Sequence, residues 1–152
     1  MFELVKSISF NTKVTVCGVL HTAKAKTLYL TENETEKWYA KIVFEDHSIL
    51  VIAPYDDFMY FGRINNVFGD GKAFPEKLTY LGNTFNKVAQ DYQIVKELVF
   101  GDPLFAEGEV IYADYSSETD VLISLAIVSR TGLRADVIAK VITNNDIKVE
   151  GI

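Results

Sequence analysis

The chain has 152 residues, 49% apolar and 24% charged, and it carries 10 Phe, 8 Tyr and 1 Trp, a composition that excludes a disordered chain. A domain of this length hides roughly 70% of the surface its open chain exposes, so a core forms without disulfides or metals. The net charge is -6 and no stretch concentrates Lys and Arg, which argues against nucleic-acid binding, while the single Cys17 excludes an internal disulfide and a Cys-rich zinc site.

The opening MFELVKSISF has Glu3 and no basic flank before a long apolar core, and so does not read as a signal peptide. The longest apolar runs, Ile49 to Pro54 and Val121 to Val128, fall well short of the about 20 residues a spanning helix needs. A cytoplasmic protein without direct membrane insertion is expected. Asn33-Glu34-Thr35 matches a glycosylation acceptor but reads as a polar turn in that setting.

The apolar pattern is mostly of period two, which predicts strands. Val14, Val16, Gly18 and Leu20 alternate with Thr15, Cys17, Val19 and His21, and Thr27 to Thr31 is a short β-rich run. Trp38, Ala40, Ile42 and Phe44 alternate with Tyr39, Lys41 and Val43; a turn at Glu45 to Ser48 then leads to a partner strand, Ile49 to Ala53, ended by Pro54. Tyr55 to Ile64 departs from the pattern. Asp56 or Asp57 would cap a short helix there, with Phe58, Phe61 and Ile64 at helical spacing. Lys77 to Leu81 and Thr84 to Val88 flank Gly82-Asn83, a two-residue hairpin turn. Asn86 to Val99 fits a helix face through Val88, Tyr92, Val95 and Val99, and also alternates as a strand. Gly108 to Tyr115, Val121 to Val128, Ala135 to Ile142 and Ile147 to Val149 complete the series, with a turn at Thr143 to Asp146. The expectation is a mainly β protein of about ten short antiparallel strands with at most one or two short helices.

An internal repeat organises these strands. Lys13-Val14-Thr15-Val16-Cys17-Gly18 resembles Lys77-Leu78-Thr79-Tyr80-Leu81-Gly82. At a different offset, Tyr39-Ala40, Glu45 and Ala53 align with Tyr112-Ala113, Glu118 and Ala126, and Leu50 and Ile52 with Ile123 and Leu125. Two similar β units follow, residues 1–64 and 77–152, joined by a connecting loop at 65–76 and packed as one body.

The layout resembles the uncharacterised bacterial domain-of-unknown-function 4178 family. The residues that carry the resemblance are Lys37-Trp38-Tyr39-Ala40 running on to Phe44, Leu78-Thr79-Tyr80-Leu81-Gly82-Asn83-Thr84-Phe85, and Glu107-Gly108-Glu109 before Val110-Ile111-Tyr112-Ala113-Asp114-Tyr115. It spans residues 12–149, nearly the whole chain, through short structural motifs. Where members carry a second Trp and a Glu near Trp38, this chain has Ala40 and Lys41. The resemblance implies a β-rich fold of two related units, no catalytic residues, and a family tied to the cell envelope and to polyamine-related gene settings.

Four constellations bear on chemistry. Cys17, His21, His47 and Asp46 hold fragments of a metal or thiol site, but neither three converging ligands nor a nucleophile with a base and an oxyanion donor. Cys17 is expected to be a small buried residue and His47 a turn residue. Gly69-Asp70-Gly71-Lys72 lacks the glycine frame and the following Ser/Thr of a phosphate loop and reads as a linker. The carboxylate pairs Asp56-Asp57, Glu107 with Glu109, and Asp114 with Glu118 read as solvated charge rather than as an acid/base pair. Tyr55-Asp56-Asp57-Phe58-Met59-Tyr60-Phe61 sets carboxylates beside aromatic faces, which suits a cationic ligand. Tyr55, Asp56, Asp57, Phe58 and Tyr60 are its candidate contacts, against the simpler role of a capped segment with buried aromatics.

With no catalytic set, metal ligands or cofactor motif to point elsewhere, the sequence leads to a non-enzymatic β domain. Its strand edges favour another protein or a second copy of itself, and the family resemblance implies an envelope-associated complex. The alternative is a small-ligand module or small enzyme with a pocket between the two β units, taking a cationic, polyamine-like molecule.

Overall fold

The structure, a computed structural model, describes residues 1–68, 74–102 and 109–151. It is mainly β. A short helix, α1 (Phe2–Ser7), precedes β1 (Lys13–Val16), β2 (Val19–Thr31), β3 (Glu34–Phe44), β4 (Ile49–Ala53) and β5 (Phe58–Ile64). The later strands are β6 (Lys77–Tyr80), β7 (Asn83–Phe100), β8 (Val110–Ser116), β9 (Val121–Val128), β10 (Val137–Ile142) and β11 (Ile147–Val149). Single 3-10 turns lie at Pro54–Asp56 and Asn144–Asp146.

Eight strands close into an antiparallel barrel in the order β2-β3-β4-β5-β10-β9-β8-β7, with β7 pairing back onto β2. β1 and β11 extend one end of the sheet order and β6 the other. Residues 1–64 supply α1 and β1 to β5, and residues 77–152 supply β6 to β11. The junctions β5–β10 and β2–β7 join the two sets into one sheet, and β11 lies beside β1.

The hydrophobic core lies mainly on the outside of this wall. One cluster packs Val5 and Ile8 of the N-terminal segment and Val14 and Val16 of β1 over Ile42 and Leu50. Lys26 of β2 fixes α1 by donating from Nζ to the carbonyls of Val5 (2.8 Å) and Ile8 (2.7 Å), where a helix end leaves acceptors unpaired. A second cluster gathers Phe85, Ala113, Tyr115, Ile123 and Leu125 under Leu78 and Tyr80 of β6.

Several local expectations are corrected. Tyr55 to Ile64 is not a helix. The 3-10 turn ends at Asp57, in the left-handed region at φ 50°, and β5 then pairs with β4 on one side and β10 on the other. Two complete ladders satisfy more backbone groups than a single helical turn would. Asn86 to Val99 lies wholly within β7. The β6–β7 turn falls on Leu81-Gly82, one residue earlier than expected, because Tyr80 pairs with Asn83. Leu81 and Gly82 have φ 49° and 80°, and Cys17 and Gly18 have φ 49° and 83°, so both hairpins use the positive-φ pair that matches strand twist. Cys17 is therefore an exposed turn residue rather than a buried strand residue. The sequence reading did not foresee α1.

Candidate functional site

Each wall strand turns alternate residues inward, and the inward set lines a partly open cavity of about 350 Å³. Part of its lining is apolar: Ile49, Val51 and Val137 pack together with Tyr39, Tyr60 and Ile64. The rest is polar. Lys41 projects from β3, Gln93 from β7, Tyr112 and Asp114 from β8, and Ser124 from β9, while Glu34, Lys37 and Asp56 also border the cavity, the last two exposed to solvent.

The register explains the grouping. Asp114 is directly opposite Ser124, which is opposite Val137, which in turn faces Ile64. Across the barrel, Thr27, Lys41, Val51 and Tyr60 form a matching row. Tyr39 stacks on Tyr29 at 5.5 Å between ring centroids and donates its hydroxyl to Gln93 Oε1 at 2.6 Å. The Lys41 ammonium sits 5.4 Å from the Tyr29 ring centroid.

Burial shapes the electrostatics. It lowers Lys41 to about 8, while the negative charge of Asp102 pulls the other way. It lifts Asp114 to about 6, against the opposing pull of the Ser124 hydroxyl. Burial also raises the phenols of Tyr39, Tyr60 and Tyr112, and the nearby Asp114 carboxylate adds to the shift in each. Asp114 Oδ1 is buried and has no hydrogen-bond partner among the described residues. Such an atom lacks the compensation that usually accompanies burial.

Of the five candidate contacts, Asp56, Phe58 and Tyr60 line the cavity. Tyr55 does not line it: half-exposed, it meets the rings of Phe2 at 4.9 Å and Trp38 at 5.9 Å. Asp57 is exposed and closes the 3-10 turn. The expectation of solvated charge fails for Asp114, whose strand position points it into the barrel. Sequence reasoning missed Lys41, Gln93, Asp114 and Ser124 as cavity residues. A usable signal was present, since the offset that aligns Tyr39 with Tyr112 also aligns Lys41 with Asp114 and Val51 with Ser124.

Elsewhere, His21 is buried between Phe44 and Phe61, and its Nδ1 lies 3.1 Å from Asp46 Oδ2. Arg63 also pairs with Asp46, at 2.8 Å. Among the described residues, no three His, Cys, Asp or Glu side chains are grouped to hold a metal. His47 occupies a turn at φ 67°. Residues 69–72 and Glu107 lie outside the described residues. None of the helices described is long and apolar enough to cross a membrane.

The fold and cavity define an eight-stranded antiparallel barrel with a partly polar interior. Comparison with models of known families, with curated proteins and with solved structures finds no match. The family resemblance rests on its sequence motifs alone.

Proposed function

We propose that the protein is a small-molecule-binding barrel whose ligand occupies the interior. The observation that carries this is the cavity itself. An eight-stranded barrel has room either to fill its interior with side chains or to hold one small ligand. Here about 350 Å³ is open, within the range of ligand sites, and its lining combines aromatic walls with a few convergent polar groups. On this reading the ligand occupies one barrel formed by both halves of the chain rather than a cleft between two bodies.

Ala53 and Ala126, aligned in the repeat, both line the cavity, and a Phe at either would fill part of it. Thermal melts of the full chain with a panel of small amines, alcohols, acids and sugars provide the test. A ligand at about a hundred times its dissociation constant adds about 2.7 kcal/mol, and the shift should vanish in Ala53→Phe and Ala126→Phe. Shifts that survive both plugs would defeat the proposal.

A second function, docking of another protein or a second copy, is favoured by one observation: Val88, Tyr92, Ile94 and Leu98 stand exposed along β7. Light scattering of the wild type and of an Ile94→Lys, Leu98→Lys double variant tests self-association through this strand. A monomeric wild type rules it out.

A further inference from the structure

We propose that the cavity takes a compact, largely apolar molecule carrying a single ammonium group, and that Asp114 is the counter-ion of that group. This rests on the binding function proposed above and specifies its ligand class. Three features of the interior converge on it.

First, the Asp114 carboxylate is directed into the cavity with Oδ1 unpartnered, and among the described residues none of the ion pairs involves it. A buried carboxylate without a cation is costly, and a ligand cation would supply the missing partner. Second, Tyr39, Tyr60 and Tyr112 all line the same space and all sense the Asp114 charge. The faces of aromatic rings attract cations, so these walls and the carboxylate act in the same direction. Third, Lys41 shares the inner surface but is directed toward the Tyr29 ring and the charge of Asp102. It opposes a second positive charge on the same inner surface, which favours a monocation over a polyamine. The apolar remainder of the ligand would lie against Ile49, Val51 and Val137.

Matched pairs separate charge from shape. Benzylamine and benzyl alcohol, and cyclohexylamine and cyclohexanol, are titrated calorimetrically into the full chain at neutral pH, with spermidine as the polycation. The expected result is that each amine binds at least about tenfold more tightly than its alcohol, a difference of about 1.4 kcal/mol. Asp114→Asn should abolish that preference. Tyr112→Leu should reduce it with Asp114 intact, which keeps a readout available if Asp114→Asn does not fold. An amine that binds no better than its alcohol, or a preference that survives Asp114→Asn, overturns the counter-ion role but leaves the binding barrel standing. Spermidine binding more tightly than the monoamines overturns the single-charge assignment. If no amine and no alcohol binds, the ligand class fails, while the thermal-melt panel with acids and sugars decides the binding function separately.

Discussion

The two faces of the barrel wall are built for different purposes. Along β3, Ala40, Ile42 and Phe44 turn outward and are at most 1% exposed, covered by other parts of the same chain. Their neighbours Tyr39 and Lys41 turn inward and border open space. β8 and β9 repeat the contrast, with Ala113, Tyr115, Ile123 and Leu125 packed outside and Tyr112, Asp114 and Ser124 inside. Because α1, β1 and β6 help cover the outer wall, much of the hydrophobic stabilisation is gathered there. The interior is thereby released from packing duty and can hold polar groups that a solid core would reject.

Substitutions on the two faces should therefore have different consequences. The largest loss is expected at Gly62 of β5, where an added Cβ would meet the Ile138 carbonyl oxygen and come within 2.6 Å of Ala139 Cα. Gly62→Val should prevent β5 and β10 from pairing and destabilise by about 4 kcal/mol, seen as a collapse of the urea midpoint. Next come Leu50→Ala and Ile123→Ala on the outer face, each expected to cost about 3 kcal/mol by leaving a cavity. Ser124→Ala, inside the wall, should change stability by less than about 1 kcal/mol in the same assay.

Asp114→Asn should have the opposite sign. The folded carboxyl titrates at about 6 against 3.8 for the ordinary group, so above about 6 the folded state bears a buried charge that the unfolded state solvates freely. As pH falls from about 6 to 4, the folded state takes up a proton first, and the wild type gains up to about 3 kcal/mol from this group. The Asn variant should lack that acid-side gain and be more stable than wild type at neutral pH. Denaturation at a series of pH values measures it, and a wild-type profile with no such gain would mean that Asp114 is well solvated. The smallest effect is expected at Arg63, whose side chain is 58% exposed in its pair with Asp46. Arg63→Ala should cost less than about 1 kcal/mol, and the loss should shrink in high salt.

Much of the wall was legible in the sequence. Ile49 to Ala53, Val121 to Val128 and Ile147 to Val149 coincide with β4, β9 and β11, because alternation or a short apolar run between turn residues leaves few alternatives. Tyr55 to Ile64 misled because aromatics at helical spacing also fit a strand with both neighbours present, and those neighbours come from residues far along the chain. The cavity was hidden for a related reason. Alternation shows that Ala40, Ile42 and Phe44 share a face, but not that the face lies outside a closed barrel. That knowledge decides whether Lys41 and Asp114 meet water or each other's surroundings.

The pairing scheme also has a kinetic consequence. β3 with β4, β4 with β5, and β8 with β9 are neighbours along the chain and can zip from local turns. The two joins that close the barrel, β5 with β10 and β2 with β7, bring together strands separated by most of a half-chain. Ordering those intervening segments precedes any reward from the contacts, which places such topologies at the slower, millisecond-to-second end of folding. Until both joins form, β2, β5, β7 and β10 each expose an open edge. The lined space, and any chemistry that depends on shielding Asp114 from water, therefore requires both of these long-range joins.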